Sequence, residues 1–215
     1  KIATVGYGLT ETNAHATNAS GMILYDRPST AGFPTPFLNQ IKIVGEDGSE
    51  LGPDEIGEVA IKSTCNFRCY LKNEEATNEV LDNEGWFRSG DVGIIDEEGF
   101  LYIKDRIKDI VIRGGENIAC LEIEAAIYEH PSVREASVFG VPDERLGEKL
   151  ATRISLNPGA ELTESDQSSF LAEKIAKFKI PEYTWFQAEE LPKVAAGKIA
   201  KKQMREEAIN ELGLN

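Results

Sequence analysis

Between Ile41 and Ile103 the chain breaks into short apolar runs separated by turn-forming clusters, and this rhythm constrains the fold more than any other feature. Ile41-Lys42-Ile43-Val44 and Glu58-Val59-Ala60-Ile61-Lys62 alternate, or nearly so, with Glu46-Asp47-Gly48-Ser49 and Gly52-Pro53-Asp54 between them. Val92-Gly93-Ile94-Ile95 and Phe100-Leu101-Tyr102-Ile103 flank Asp96-Glu97-Glu98-Gly99. Side chains on a strand alternate between faces, so period-two patterning closed by Gly, Asp and Pro specifies hairpins. This half is expected to form a small antiparallel sheet or barrel.

Past Asp105-Arg106-Ile107-Lys108 the rhythm changes. Ile110-Val111-Ile112 reads as a strand closed by Gly114-Gly115. Leu121 to Tyr128 has helical spacing, with Ile123 and Ile127 on one face, and ends at His130-Pro131. Ala136–Val141 and Lys149–Leu156 read as strands. Thr163 with Asp166 three residues on predicts a capped helix start, with Phe170, Leu171, Ile175 and Phe178 as its buried stripe and Pro181 as its stop. A basic helix is expected from about Ile199 to Leu212. The fold class is therefore α+β: a β-rich antiparallel subdomain over residues 1–106, then a small α+β C-terminal domain over residues 107–215.

Acidic residues outnumber basic ones 37 to 23, a net charge of −14, which argues against nucleic acid or an anionic membrane as the main partner. No apolar run approaches the ~20 residues of a membrane span. Lys193 to Arg205 is the exception to the acidity, with five cations and no acid. Such a run is first read as a solvated helix face. Cys65, Cys69 and Cys120 cannot all pair within one chain and form no CxxC motif, so a reduced, cytoplasmic protein is the default. The chain opens on Lys1 rather than Met and runs directly into an apolar, Gly-rich stretch, which suggests a piece of a longer protein.

Four segments carry residue types suited to chemistry. In Gly6-Tyr7-Gly8-Leu9-Thr10-Glu11-Thr12 two glycines allow close backbone approach around an aromatic face, and Thr10 and Glu11 suit a phosphate oxygen and Mg²⁺. An ordinary Gly-rich turn explains the segment equally well. In Trp86-Phe87-Arg88-Ser89-Gly90-Asp91 the acid at the start of a hairpin is either an acceptor for a sugar diol or a turn cap. Arg106 and Lys108 precede Arg113-Gly114-Gly115-Glu116-Asn117, whose paired glycines fit tight packing or a narrow ligand channel. Lys198, among the small residues Val194-Ala195-Ala196-Gly197, is either a cation carried on a mobile loop or an exposed loop lysine.

Taken together and in order, these segments resemble the adenylate-forming superfamily of acyl-CoA synthetases, aryl-CoA ligases, luciferases and peptide-synthetase adenylation domains. Gly6–Thr12 is similar to its YGxTE motif, Gly57-Glu58-Val59-Ala60-Ile61 to GE(L/V)xI, and Arg88-Ser89-Gly90-Asp91 to (R/T)(T/S)GD. Asp105–Asp109 with Gly114–Ile118 resembles the hinge and its following loop. Phe178-Lys179-Ile180-Pro181 and Leu191-Pro192 through Ile199 resemble the closing motifs. Cys69 stands where the family's usual Gly precedes Tyr70.

The resemblance implies an AMP-forming acid–thiol ligase, in which a carboxylic acid and ATP give an acyl-adenylate and coenzyme A takes the acyl group. It implies Tyr7 on adenine, Gly8 beside the nucleotide, Thr10 on phosphate and Glu11 on Mg²⁺. Asp91 and Arg106 would bind the ribose, and Lys198 would bridge carboxylate and α-phosphate. Lys108 would be the pivot of a mobile C-terminal lid, with Gly114 and Gly115 lining the pantetheine channel. The family's main phosphate loop and most of its acyl pocket lie upstream of YGxTE, so the chain is expected to be the C-terminal third to half of such an enzyme. Alone it is expected to be inactive, with the upstream portion or a second copy as possible partners. A non-catalytic nucleotide- or partner-binding module and a luciferase-like oxidative enzyme are the alternatives.

Overall fold

The computed structural model describes residues 3–214. The chain divides into two compact units at Lys108/Asp109.

In the first unit, β1 (Thr4–Tyr7), β2 (Thr17–Ser20) and β3 (Phe33–Pro34) form a small antiparallel sheet, with a short helix α1 (Met22–Asp26) after β2. The expected hairpins form a second, four-stranded sheet in the order β4 (Asn39–Val44), β5 (Gly57–Ser63), β6 (Trp86–Ile95), β7 (Leu101–Arg106). It is an open meander, not a barrel. Helix α2 (Glu74–Val80) is inserted before β6 and starts on Asn73, whose side chain accepts the Ala76 amide. Ile43, Val59, Ile61, Phe87 and Leu101 make the core, each adding roughly 1.5–3 kcal/mol by leaving water.

Asp91 does not open a hairpin as expected; it lies inside the ten-residue strand β6. The reason is a bulge. Ala60 pairs with Arg88 and Glu58 with Val92, so Val59 alone faces Ser89, Gly90 and Asp91. Gly90 takes φ +72°, a backbone that a side chain would strain.

In the second unit, β8 (Val111–Arg113) and β9 (Glu116–Ile118) form a hairpin closed by Gly114 (φ +60°) and Gly115 (φ +90°). A two-residue turn with both φ positive matches the strand twist, which explains the glycine pair. Helix α3 (Cys120–Tyr128) follows. The long hairpin of β10 (Val133–Asp143) and β11 (Gly147–Leu156) carries β12 (Tyr183–Gln187) in parallel on β11. Ala136 and Val138 pack with Ile123, Ile127, Leu150 and Ile154 on one face; Phe139 and Val141 pack with Met204 and Ala208 on the other. Because both faces are covered, the run from Ala136 to Val141 is apolar rather than alternating.

Helix α4 (Glu164–Ala172) starts on Thr163 as expected, with the Thr163 hydroxyl accepting the Asp166 amide, but it stops short of Ile175 and Phe178. Phe178 sits in a 3₁₀ turn (Lys177–Lys179) and is 43% exposed, so Phe170, Leu171 and Ile175 of the expected stripe pack against the core and Phe178 does not. Helix α5 (Lys201–Leu212) is not the solvated basic face that its charge suggests. Lys193 pairs with Glu135 and Glu190, Lys201 with Glu124 and Arg205 with Glu148, while the Arg205 guanidinium also donates to the Gly140 carbonyl.

At the β10–β11 turn, Asp143 binds Lys149 at 2.9 Å and accepts the amides of Leu146 and Arg145. The Lys149 ammonium, then these amides, hold its carboxyl down at about 2. A carboxyl acidified by folding adds stability above its unfolded value near 4, and that stability drains as pH falls from about 4 to about 2. Asp143→Asn is expected to remove this share of the acid sensitivity, read as Tm against pH in the variant and the parent. A Tm slope between pH 4 and 2 identical in the two would contradict the assignment.

Candidate functional site

The first unit carries seven of the residues singled out in the sequence: Tyr7, Gly8, Thr10, Glu11, Asp91, Arg106 and, at its end, Lys108. Tyr7 ends β1, so it is held by strand pairing to Thr17 rather than sitting in a loose Gly-rich turn. Gly8 follows, and no residue larger than Gly fits there. A Cβ would lie 2.5 Å from the Ala14 carbonyl carbon. Thr10 and Glu11 form a 3₁₀ turn that closes on the Thr12 hydroxyl, which accepts the Leu9 amide.

Asp91 on β6 stands directly opposite Arg106 on β7. The Arg106 Nε donates to Asp91 Oδ1 at 2.8 Å, and the Tyr7 hydroxyl donates to Asp91 Oδ2 at 2.6 Å. Asp91 is only 7% exposed, and a carboxylate that deep needs such partners. Each oxygen keeps a further lone pair, enough to accept a second hydroxyl donor. Burial, then the hydrogen bond to Asp91, pushes the Tyr7 phenol far above its ordinary range, so it stays a donor.

Sequence reasoning passed over Tyr70 except as the neighbour of Cys69. Its hydroxyl donates to Glu11 Oε1 at 2.7 Å, and its ring packs against Phe67. The signal was an aromatic before the Asn73 cap, too common a pattern to read. Glu11 Oε2 and the Thr10 hydroxyl make no hydrogen bond among the described residues. That donor set, one carboxylate oxygen beside one hydroxyl, fits Mg²⁺, which takes one or two carboxylates and fills its shell with phosphate and water. Among the described residues no group of three or more His, Cys, Asp or Glu side chains is placed to hold a metal ion.

The second unit carries the others. Lys198 closes a tight loop in which the Val194 amide donates to the Lys198 carbonyl and the Gly197 amide to the Val194 carbonyl. Gly197 has φ +77°, so the loop is a formed turn. Its ammonium is exposed and has no ion pair among the described residues, unlike Lys193, Lys201, Lys202 and Arg205 around it. Gly114 is anchored through its amide to the Leu146 carbonyl, while Gly115 faces open space. Lys108, the last residue of the first unit, lies in the 3₁₀ turn Ile107–Asp109, exposed and without an ion pair among the described residues.

A β-rich unit in which a tyrosine, a carboxylate and a guanidinium meet is thus followed by an α+β unit that presents a lysine without an ion pair among the described residues. Residues 2–71 match the family model for the AMP-binding enzymes and residues 122–198 that for the AMP-binding enzyme C-terminal domain. The long-chain-fatty-acid–CoA ligase FadD13 of Mycobacterium tuberculosis is 40% identical over 202 residues, covering 94% of this chain and 39% of the relative. The 2-succinylbenzoate–CoA ligase of Bacillus cereus is 38% identical over 200 residues, covering 93% and 40%. The o-succinylbenzoate CoA synthetase MenE of Bacillus subtilis, solved with ATP and magnesium, superposes with a TM-score of 0.86 at 33% identity, covering 94% of this chain and 41% of that one. The chain belongs to the adenylate-forming superfamily of AMP-binding enzymes. It spans about 40% of the length of these curated relatives. Among the described residues no helix is long and apolar enough to cross a membrane.

The Tyr70 phenol is pushed up to about 12, first by burial and then by its bond to Glu11. Glu11→Gln removes the second cause and leaves the larger one. The Tyr70 titration is therefore expected to move down but to stay above the ordinary value near 10. Tyrosine ring NMR against pH reads this, with Tyr70→Phe assigning the signal. A midpoint unmoved by Glu11→Gln would exclude the contact.

Proposed function

We propose that this chain is the C-terminal part of an AMP-forming acid–thiol ligase, which activates a carboxylic acid with ATP and passes the acyl group to coenzyme A. The observation that carries the reading is the Asp91 carboxylate, held between Arg106 and Tyr7 with lone pairs to spare. A cis-diol offers two adjacent hydroxyl donors, and a fixed carboxylate accepts both without rearranging. Arg106 supplies a complementary donor. Tyr7 offers its ring to adenine, and the bare backbone at Gly8 lets the nucleotide approach.

Thr10 and Glu11 would take the phosphate end, with Glu11 Oε2 and Thr10 as the groups toward Mg²⁺. When bound, that ion would offset the charge between ATP and the carboxylate substrate. The attack of one anion on another also needs a cation at the reacting atoms, where charge grows on the α-phosphate oxygens. Lys198 is that cation. Its lack of a protein partner leaves its charge for the substrate carboxylate and α-phosphate.

Thioester formation needs a thiol at the same carbon, so the lysine loop must give way. Rotation about Lys108 exchanges it for the Gly114-Gly115 turn, whose missing side chains leave room for pantetheine. The upstream portion of the enzyme supplies the main phosphate loop and the acyl pocket. Three free cysteines fit a reducing cytoplasm.

The test is acid-dependent exchange of pyrophosphate into ATP by the whole protein that carries this chain. Lys198→Ala is expected to lower exchange by about 100- to 1,000-fold while sparing thioester formation from supplied acyl-adenylate. Equal loss of both steps would refute the divided role. Lys108→Pro is expected to do the reverse, because a proline ring locks the backbone torsion that the pivot must change. Undiminished thioester formation in that variant would exclude Lys108 as the pivot.

A further inference from the structure

The family motif around Glu58 has no role in the mechanism above, yet its carboxylate touches the segment that presents Asp91. Glu58 Oε1 accepts the Gly90 amide at 2.9 Å. Glu58 Oε2 accepts the Arg88 Nε at 2.6 Å and lies 2.5 Å from a terminal nitrogen of the same guanidinium. Its side chain is only 10% exposed. We infer that Glu58 is a positioning residue for nucleotide selection, holding the Ser89-Gly90-Asp91 bulge so that Asp91 meets the ribose diol. This rests on the nucleotide reading proposed above.

The argument starts from the backbone. Three residues of β6 bulge against one of β5, so their amides lose the ladder acceptors that regular pairing would give. A buried amide without an acceptor is costly, and the bulge persists only if acceptors come from elsewhere. Ser89 Oγ accepts the Asp91 amide and donates to the Val59 carbonyl; Glu58 takes the Gly90 amide. Bonds to an ionised acceptor are shorter and stronger than neutral ones, and Arg88 fixes the carboxylate from the other side. Gly90 at φ +72° leads straight into Asp91, so a change in its torsions swings the Asp91 carboxylate away from Arg106 and Tyr7. An ion pair that merely strengthened the sheet would have no need of the amide adjoining Asp91.

The test compares the affinities of AMP and 2′,3′-dideoxy-AMP, which lacks the diol, on the whole protein that carries this chain. The parent is expected to prefer AMP by about tenfold or more, the worth of hydrogen bonds to a charged acceptor. Glu58→Ala is expected to shrink that preference to about twofold or less while dideoxy-AMP binds as before. Glu58→Gln keeps an acceptor for the Gly90 amide and is expected to restore part of the preference. A Glu58→Ala protein that keeps the parent's preference, or loses affinity for both nucleotides equally, overturns the inference and leaves the nucleotide reading standing. A parent with no preference overturns both. Should Glu58→Ala fail to fold, Glu58→Gln decides: a reduced preference supports positioning, and an unchanged one overturns it.

Discussion

The buried carboxylate of Asp91 organises the first unit. Asp91 is held at three points: by Arg106 from the neighbouring strand, by Tyr7 from the other sheet, and through its own amide by Ser89. A carboxylate held out of water is stable only while such partners stay in place. The small sheet must therefore end where Tyr7 can reach, the β6 bulge must form, and β7 must run in a register that sets Arg106 opposite. The apolar cluster around Ile61, Phe87 and Leu101 supplies the rigidity that these alignments need.

The charge distribution follows a second constraint. A chain with a net charge of −14 repels nucleotides at long range, so affinity has to come from fixed local groups. The basic stretch from Lys193 to Arg205 looks like an anion surface, but most of it is spent internally. Lys201 shows how: burial works against its charge, and Glu124, with help from Cys120 and Asp109, outweighs that cost and raises its pKa. Neutralising its neighbours leaves Lys198 as the cation of that stretch without an ion pair among the described residues.

Much of this was legible in the sequence. The period-two runs and their turns give β4 to β7, and Thr163 with Asp166 marks the start of α4. The ordered motifs lead to the family. What was not legible depends on contacts that no local pattern encodes. The β6 bulge arises from the offset between Ala60–Arg88 and Glu58–Val92, a property of two strands together. Helix α4 ends at Ala172, and Phe178 is left exposed where periodicity anticipates burial. Tyr70 reaches Glu11 across 59 positions, and Glu58 reaches Gly90 across 32.

Nucleotide is proposed to bind to the face built by Tyr7, Asp91 and Arg106, with the second unit delivering cations rather than holding the base. Backbone amide chemical shifts of this chain, followed while AMP is added, test it most directly. The account predicts that shifts concentrate at residues 6–12, 89–92 and 106 and are abolished by Asp91→Ala. Shifts confined to residues 109–214, or undiminished by Asp91→Ala, would contradict it.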